Sequence, residues 1–122
     1  MAARTYELAG TCVMECEADG PPLRTERDAV DLIGEALSHG AQLVVIPVSR
    51  LTDDFFQLRT RLAGDIVQKF VNYGLRLAIV GDISRHLTAS EALRAFVREA
   101  SRGEQLQFVA DLGELRTDGL NP

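Results

Sequence analysis

Two aspartates and three arginines carry most of the chain's chemical potential. Asp54 and Asp82 follow two short apolar runs, and Arg59, Arg61 and Arg85 lie close to them in sequence. Paired carboxylates can do acid–base work when one of them has a raised pKa. Arginines instead hold carboxylate or phosphate through forked, charge-assisted hydrogen bonds. Ser49, Thr60 and Ser84 add hydroxyls to the same stretches, and Gly81 precedes Asp82. Nucleophilic catalysis needs a base beside its nucleophile. The histidines are His39 and His86, and the set Asp82, Ser84 and His86 is crowded into five residues. Residues so close along a chain seldom reach one another in the geometry a triad needs. No complete catalytic set is present, and no catalytic residue is assigned.

The elements that must position these groups are legible. Leu43-Val44-Val45-Ile46 is a short, β-branched apolar run, the pattern of a strand covered on both faces, and Pro47 should end its ladder. Leu75 to Val80 is a second such run, leaving through Gly81-Asp82. Between them, Leu51 to Phe56 reads as a helical turn with Thr52 as cap and Asp53-Asp54 in its first turn. A longer helix follows from about Thr60 to Tyr73. Its Leu62, Ala63, Ile66, Val67, Phe70 and Val71 make one apolar face, and Gly74 stops it. Phe55 and Phe56 are adjacent and cannot face the same way along a regular element; they read as core anchors, with a partly exposed partner-contact aromatic as the alternative. The whole is one β-α-β unit, and open parallel sheets place their sites at the strand carboxyl ends. If the two strands are parallel neighbours, their exits bring Ser49, Arg50, Asp54 and Thr60 near Gly81, Asp82, Ser84 and Arg85. Such polar groups at a helix start suit an anion or a phosphorylated partner loop.

The flanking segments extend the pattern. Tyr6–Leu8 and Thr11–Cys16 read as two strands joined at Ala9-Gly10. On a strand Cys12 and Cys16 share a face about 13 Å apart, too far for a disulfide between them. Ala18 to Arg24 is a loop. Thr25 caps a helix whose stripe is Ala29, Leu32, Ile33, Ala36 and Leu37, ending near His39-Gly40. Thr88-Ala-Ser-Glu91 has the capping-box pattern and should open a third main helix carrying Leu93, Phe96, Val97 and Ala100 inward to about Gly103. Arg94, Arg98 and Arg102 form its solvated column. Gln107-Phe108-Val109 is a last strand, Asp111 to Leu115 a final turn, and the tail 116–122 should fray.

Composition bounds the reading. The chain has 122 residues, 46% apolar and 25% charged, with a net charge of -5. That suits one soluble domain and argues against a nucleic-acid or anionic-membrane surface. The amino-terminal residues lack the apolar stretch of a signal peptide, and no segment is long enough to span a membrane, so the cytoplasm is the default.

Two resemblances add to this. The order of elements resembles the STAS domain (sulfate transporter and anti-sigma factor antagonist). Its phospho-acceptor motif falls on Leu58-Arg59-Thr60-Arg61-Leu62, so the resemblance implies Thr60 as the acceptor position. Leu58 replaces that family's aspartate and Arg61 its glycine. The run Asp54-Phe55-Phe56, Leu58, Thr60, Leu62-Ala63-Gly64, Gln68-Lys69-Phe70, Asn72-Tyr73 and Ala78-Ile79-Val80-Gly81-Asp82 is similar to the small bacterial family designated DUF4180, a domain of unknown function. There too Arg61 replaces the usual glycine.

The expectation is therefore a single STAS-like α/β domain over residues 1–122, β-β-α-β-α-β-α-β, with a mixed and mostly parallel sheet. Its role would be that of a non-enzymatic regulatory or binding module. Ser49, Asp54, Arg59, Thr60, Arg61, Gly81, Asp82, Ser84 and Arg85 would form a site for a protein partner or a small anionic ligand. The alternative is a small enzyme or small-molecule-binding protein using Asp54, Asp82 and the nearby arginines. A homodimer through a helix face or an edge strand is a third arrangement. No cofactor, metal or nucleic acid is expected.

Overall fold

The computed structural model of the chain describes residues 4–116. Five strands form one sheet in the order of the chain: β1 (Arg4–Leu8), β2 (Thr11–Glu15), β3 (Leu43–Pro47), β4 (Arg76–Val80) and β5 (Leu106–Val109). β1 and β2 are an antiparallel hairpin, and β2, β3, β4 and β5 run parallel. Ala9 and Gly10 turn the hairpin with φ of 52° and 82°. A two-residue turn of this hand matches the twist of the strands it joins. The fold is α/β with a mostly parallel mixed sheet, as the alternation of elements implies.

Strands in chain order with right-handed crossovers put every crossover helix on one face. On that face α1 (Glu26–Ser38), α3 (Leu62–Asn72) and α5 (Glu91–Ala100) cover Met14, Val44, Ile46, Leu77, Ile79 and Leu106. α1 starts as its sequence demands: the Thr25 hydroxyl accepts from Asp28 N–H while the Asp28 carboxylate accepts from Thr25 N–H. Its stripe is buried at Ala29, Leu32, Ile33 and Ala36, whereas Leu37 is exposed. The other face of the sheet holds a smaller cluster of Val13, Leu43, Val45 and Ala78, with Tyr6, Val80 and Leu115 packed on it.

Several boundaries differ from those the pattern suggests, each for a local reason. Pro47 still belongs to β3, in register with Val80. α3 begins at Leu62 rather than Thr60, because Thr60 is spent in a 3-10 turn, Leu58–Thr60. The capping box assigned to Thr88–Glu91 does not form. Thr88 lies inside an additional helix, α4 (Ser84–Ala89), and Ser90 is the cap of α5, accepting from Leu93 N–H at 3.1 Å. α4 has no helical apolar stripe to announce it. It is held instead by Asp82 bonding Ser84 N–H at its start and by Arg94 of α5 donating to the Leu87 carbonyl at its end. α5 stops at Ala100, short of Gly103. Of the tail expected to fray, residues 117–122 lie outside the described residues. Arg116 is fixed, because the buried Gln107 side chain both accepts from its N–H and donates to its carbonyl.

The exits of β3 and β4 meet where Gly81, at φ 139°, lies against Val48; a Cβ on Gly81 would fall 2.8 Å from a Val48 methyl carbon. Gly81→Ala should therefore destabilise the fold by about 1–3 kcal/mol, from backbone strain and overlap together. Adding Val48→Ala should recover only part of the overlap, because the Val48 Cβ itself would lie 2.9 Å from the new methyl; urea unfolding of the two single variants and the double variant would show this.

Candidate functional site

β3 leaves the sheet into a 3-10 turn, Val48–Arg50, and then the one-turn helix α2 (Asp53–Phe56). β4 leaves into Gly81-Asp82 and α4. Since β3 and β4 are parallel neighbours over Leu43↔Arg76 to Pro47↔Val80, the two exits share one rim. An ion pair spans them, Arg85 Nη2 to Asp53 Oδ1 at 3.0 Å. Between α2 with its following turn and α4–α5 lies an open groove of about 520 Å³.

The groove is amphipathic. Phe56, Leu58, Ala89 and Ala92 are its apolar lining; Asp53, Gln57, Arg59, Arg85, His86 and Ser90 supply its polar groups. Phe56 is buried and the His86 ring stacks on it, centroids 4.1 Å apart and planes 13° from parallel. Phe55 is buried too, edge-on to Phe56. Neither phenylalanine is the exposed one of the pair, because one turn of helix sends Phe55 into the core and Phe56 against the imidazole of α4. His86 Nε2 lies 4.0 Å from Asp53 Oδ1. Burial lowers the His86 pKa below its ordinary value, the Arg85 charge lowers it further, and Asp53 opposes both. The net effect favours the uncharged imidazole.

The residues expected to form the site divide by what they touch. Arg59 and Arg85 line the groove, and Arg59 also donates to the Gln57 side chain at 3.2 Å. Ser49 and Arg50 turn the other way and tie down the Glu17–Pro21 loop. The Ser49 hydroxyl donates to the Ala18 carbonyl, and the Arg50 guanidinium to those of Glu17 and Pro21. Thr60 keeps its hydroxyl inside its own turn, 2.7 Å from the Asp54 carbonyl and 2.8 Å from that of Gln57, and accepts from Leu62 N–H. What Asp54 contributes there is its main chain; its side chain is not among the groove-lining groups. Asp82 accepts from both the N–H and the hydroxyl of Ser84, and these bonds hold its carboxyl below the usual range. General acid–base catalysis would need a carboxyl raised instead. Asp82 engages Ser84 and His86 stands with Phe56 and Asp53, so the three do not assemble into a relay. Gly81 is architectural, packed on Val48.

Arg61 explains a departure noted in the sequence. It adopts φ 66°, ψ 3° at the N-cap of α3, a left-handed conformation for which glycine is the usual choice. Among the groove-lining residues that the expected site left out are Asp53, Phe56 and His86. The signal that could have found them is the DDFF turn, which places an acid and a ring together at the exit of β3.

Elsewhere, both cysteines are free, and burial pushes the Cys16 thiol up to about 11. Among the described residues no cluster of His, Cys, Asp and Glu could hold a metal ion, and no helix is long and apolar enough to cross a membrane.

The pattern of a domain of unknown function, DUF4180, matches residues 8–118. The chain belongs to the DUF4180 family. No curated protein and no solved structure matches it. The DUF4180 match takes in every strand from β2 to β5 and all of the groove, so the groove belongs to the family's domain and not to an appendage.

Two outcomes follow from this geometry. Titration of His86 by NMR should give a pKa below 6.5, which Asp53→Asn lowers further and Arg85→Gln raises. With the folded value depressed, the stability His86 contributes is complete above its unfolded pKa of about 6.5 and is lost as pH falls through the folded value. Separately, Arg61→Gly should raise stability by up to about 1 kcal/mol, as relief of the left-handed strain exceeds the entropy cost of glycine. Arg61→Val should lower it.

Proposed function

We propose that this domain is a non-enzymatic binding module, acting in the cytoplasm, whose recognition site is the groove at the shared exit of β3 and β4. The observation that carries the reading is the convergence of Arg59 and Arg85 on one amphipathic groove. The two guanidiniums come from different crossovers and meet only because the strands are parallel neighbours. Resident acid does not cancel them: Asp53 offsets one charge, and Asp82 is not among the groove-lining groups. The groove therefore suits an anionic group, on a partner or on a ligand, rather than a cation or a neutral polymer. The element order and the position of the site at the strand exits support a STAS-like relationship. Phosphorylation of Thr60, the variant that relationship suggests, would break the turn between α2 and α3 and so alter the groove beside it.

The test is a binding panel of acidic peptides and organic anions, read by calorimetry. Any member bound by the wild-type protein should bind at least ten-fold more weakly to Arg59→Glu/Arg85→Glu. It should bind unchanged to the charge-matched Arg98→Glu/Arg102→Glu, which alters only the outer side of α5. Equal losses in the two variants, or none in the first, would refute the assignment.

A further inference from the structure

We propose that the groove is a binding site for a small organic acid carrying a single carboxylate on an apolar body. This assignment rests on the reading of the rim as an anion site and narrows it to one class of ligand. Three observations select that class.

Size comes first. A groove of about 520 Å³ lies within the range of about 300–1,000 Å³ typical of small-molecule sites. A stable protein partner covers about 800 Å² on each side, whereas Phe55 and Phe56 are buried and, among the described residues, none of the exposed large apolar side chains lines the groove.

Shape and polarity come second. Leu58 faces the groove from the α2 side, Ala89 and Ala92 face it from α4 and α5, and the Phe56–His86 stack is its buried base. A free inorganic anion would leave those walls wet, whereas an apolar body covers them.

Charge comes third and decides between carboxylate and phosphate. The groove is lined by two guanidiniums and one carboxylate, so its side chains of fixed charge leave one positive charge uncompensated. A monoanion balances it; a phosphate dianion overfills it and meets Asp53. Asp53 and Gln57 each engage one terminal nitrogen of an arginine, Arg85 and Arg59 respectively. A guanidinium has five N–H donors, so both forks keep donors for a carboxylate placed between them.

Amide chemical shifts of the isotope-labelled full chain test this, with 2-naphthoate as probe and 2-naphthamide, acetate and 2-naphthyl phosphate beside it. At equal millimolar concentration 2-naphthoate should move the amides of Leu58, Ala89 and Ala92. The uncharged amide and acetate should not. Arg85→Gln should weaken naphthoate binding roughly ten-fold while the remaining spectrum is preserved, and Arg59→Gln gives the same readout should the first variant misfold. Equal binding of 2-naphthamide, or shifts that map away from the groove, would overturn the proposal. Tighter binding of the naphthyl phosphate at neutral pH would overturn the carboxylate class and leave an anion site standing. So would arginine-dependent binding of an acidic peptide with no response to 2-naphthoate. Silence from every anion would remove both.

Discussion

The parallel pairing of β3 with β4 is the constraint on which the rest depends. Five residues of each strand stay in register, from Leu43↔Arg76 to Pro47↔Val80. The chain therefore leaves both strands at the same height and on the same side of the sheet. One contact at that point is close enough to set the spacing, the glycine of the second exit against a valine of the first. From there α2 and α4 diverge by only a few residues, so a carboxylate on one and a guanidinium on the other meet at 3.0 Å. That pair is exposed on both partners and holds little stability by itself. Its importance is positional, since it shows that the two crossovers end beside each other.

Most of the polar chemistry at this rim is structural. Ser49 and Arg50 anchor the loop that precedes α1, Thr60 knots the chain between α2 and α3, and Asp82 with Ser84 starts α4. Loops that leave a sheet abruptly have unpaired main-chain groups, and short polar side chains supply partners for them. Once those side chains are accounted for, two arginines, one aspartate, Gln57, the Ser90 cap of α5 and an apolar lining face the groove. His86 belongs to both sets: its ring packs on Phe56 as a core residue would, while its outer nitrogen approaches Asp53.

How much of this could be read beforehand follows from where the information is stored. Continuous apolar runs and three-and-four periodicity are properties of the chain itself, so β3, β4, α1 and α3 were legible, with Thr25 and its partner Asp28 as a local cap. α4 was not, because SRHLTA has no periodic stripe and owes its shape to Asp82 before it and Arg94 after it. The apparent capping box at Thr88 was a local pattern overruled by that neighbour. The rim was located by topology, and Arg59 and Arg85 with it. The directions of Ser49, Thr60 and Asp82 were out of reach, since hydroxyls and carboxylates serve a turn and a ligand equally well in sequence. Arg61 is the reverse case: it stands where both resemblances have glycine, a mark of left-handed backbone that was read as such only from the structure.

The strand order has a consequence for assembly. Because neighbours in the sheet are also successive strands along the chain, the partner on which each new strand pairs is the strand synthesised just before it. Nothing has to be threaded between strands that are already joined, and each addition closes only a single crossover, which keeps the entropic cost of each loop small. The hairpin at the amino terminus is the one pairing that closes locally, and each later pairing adds a strand at the same side of the sheet.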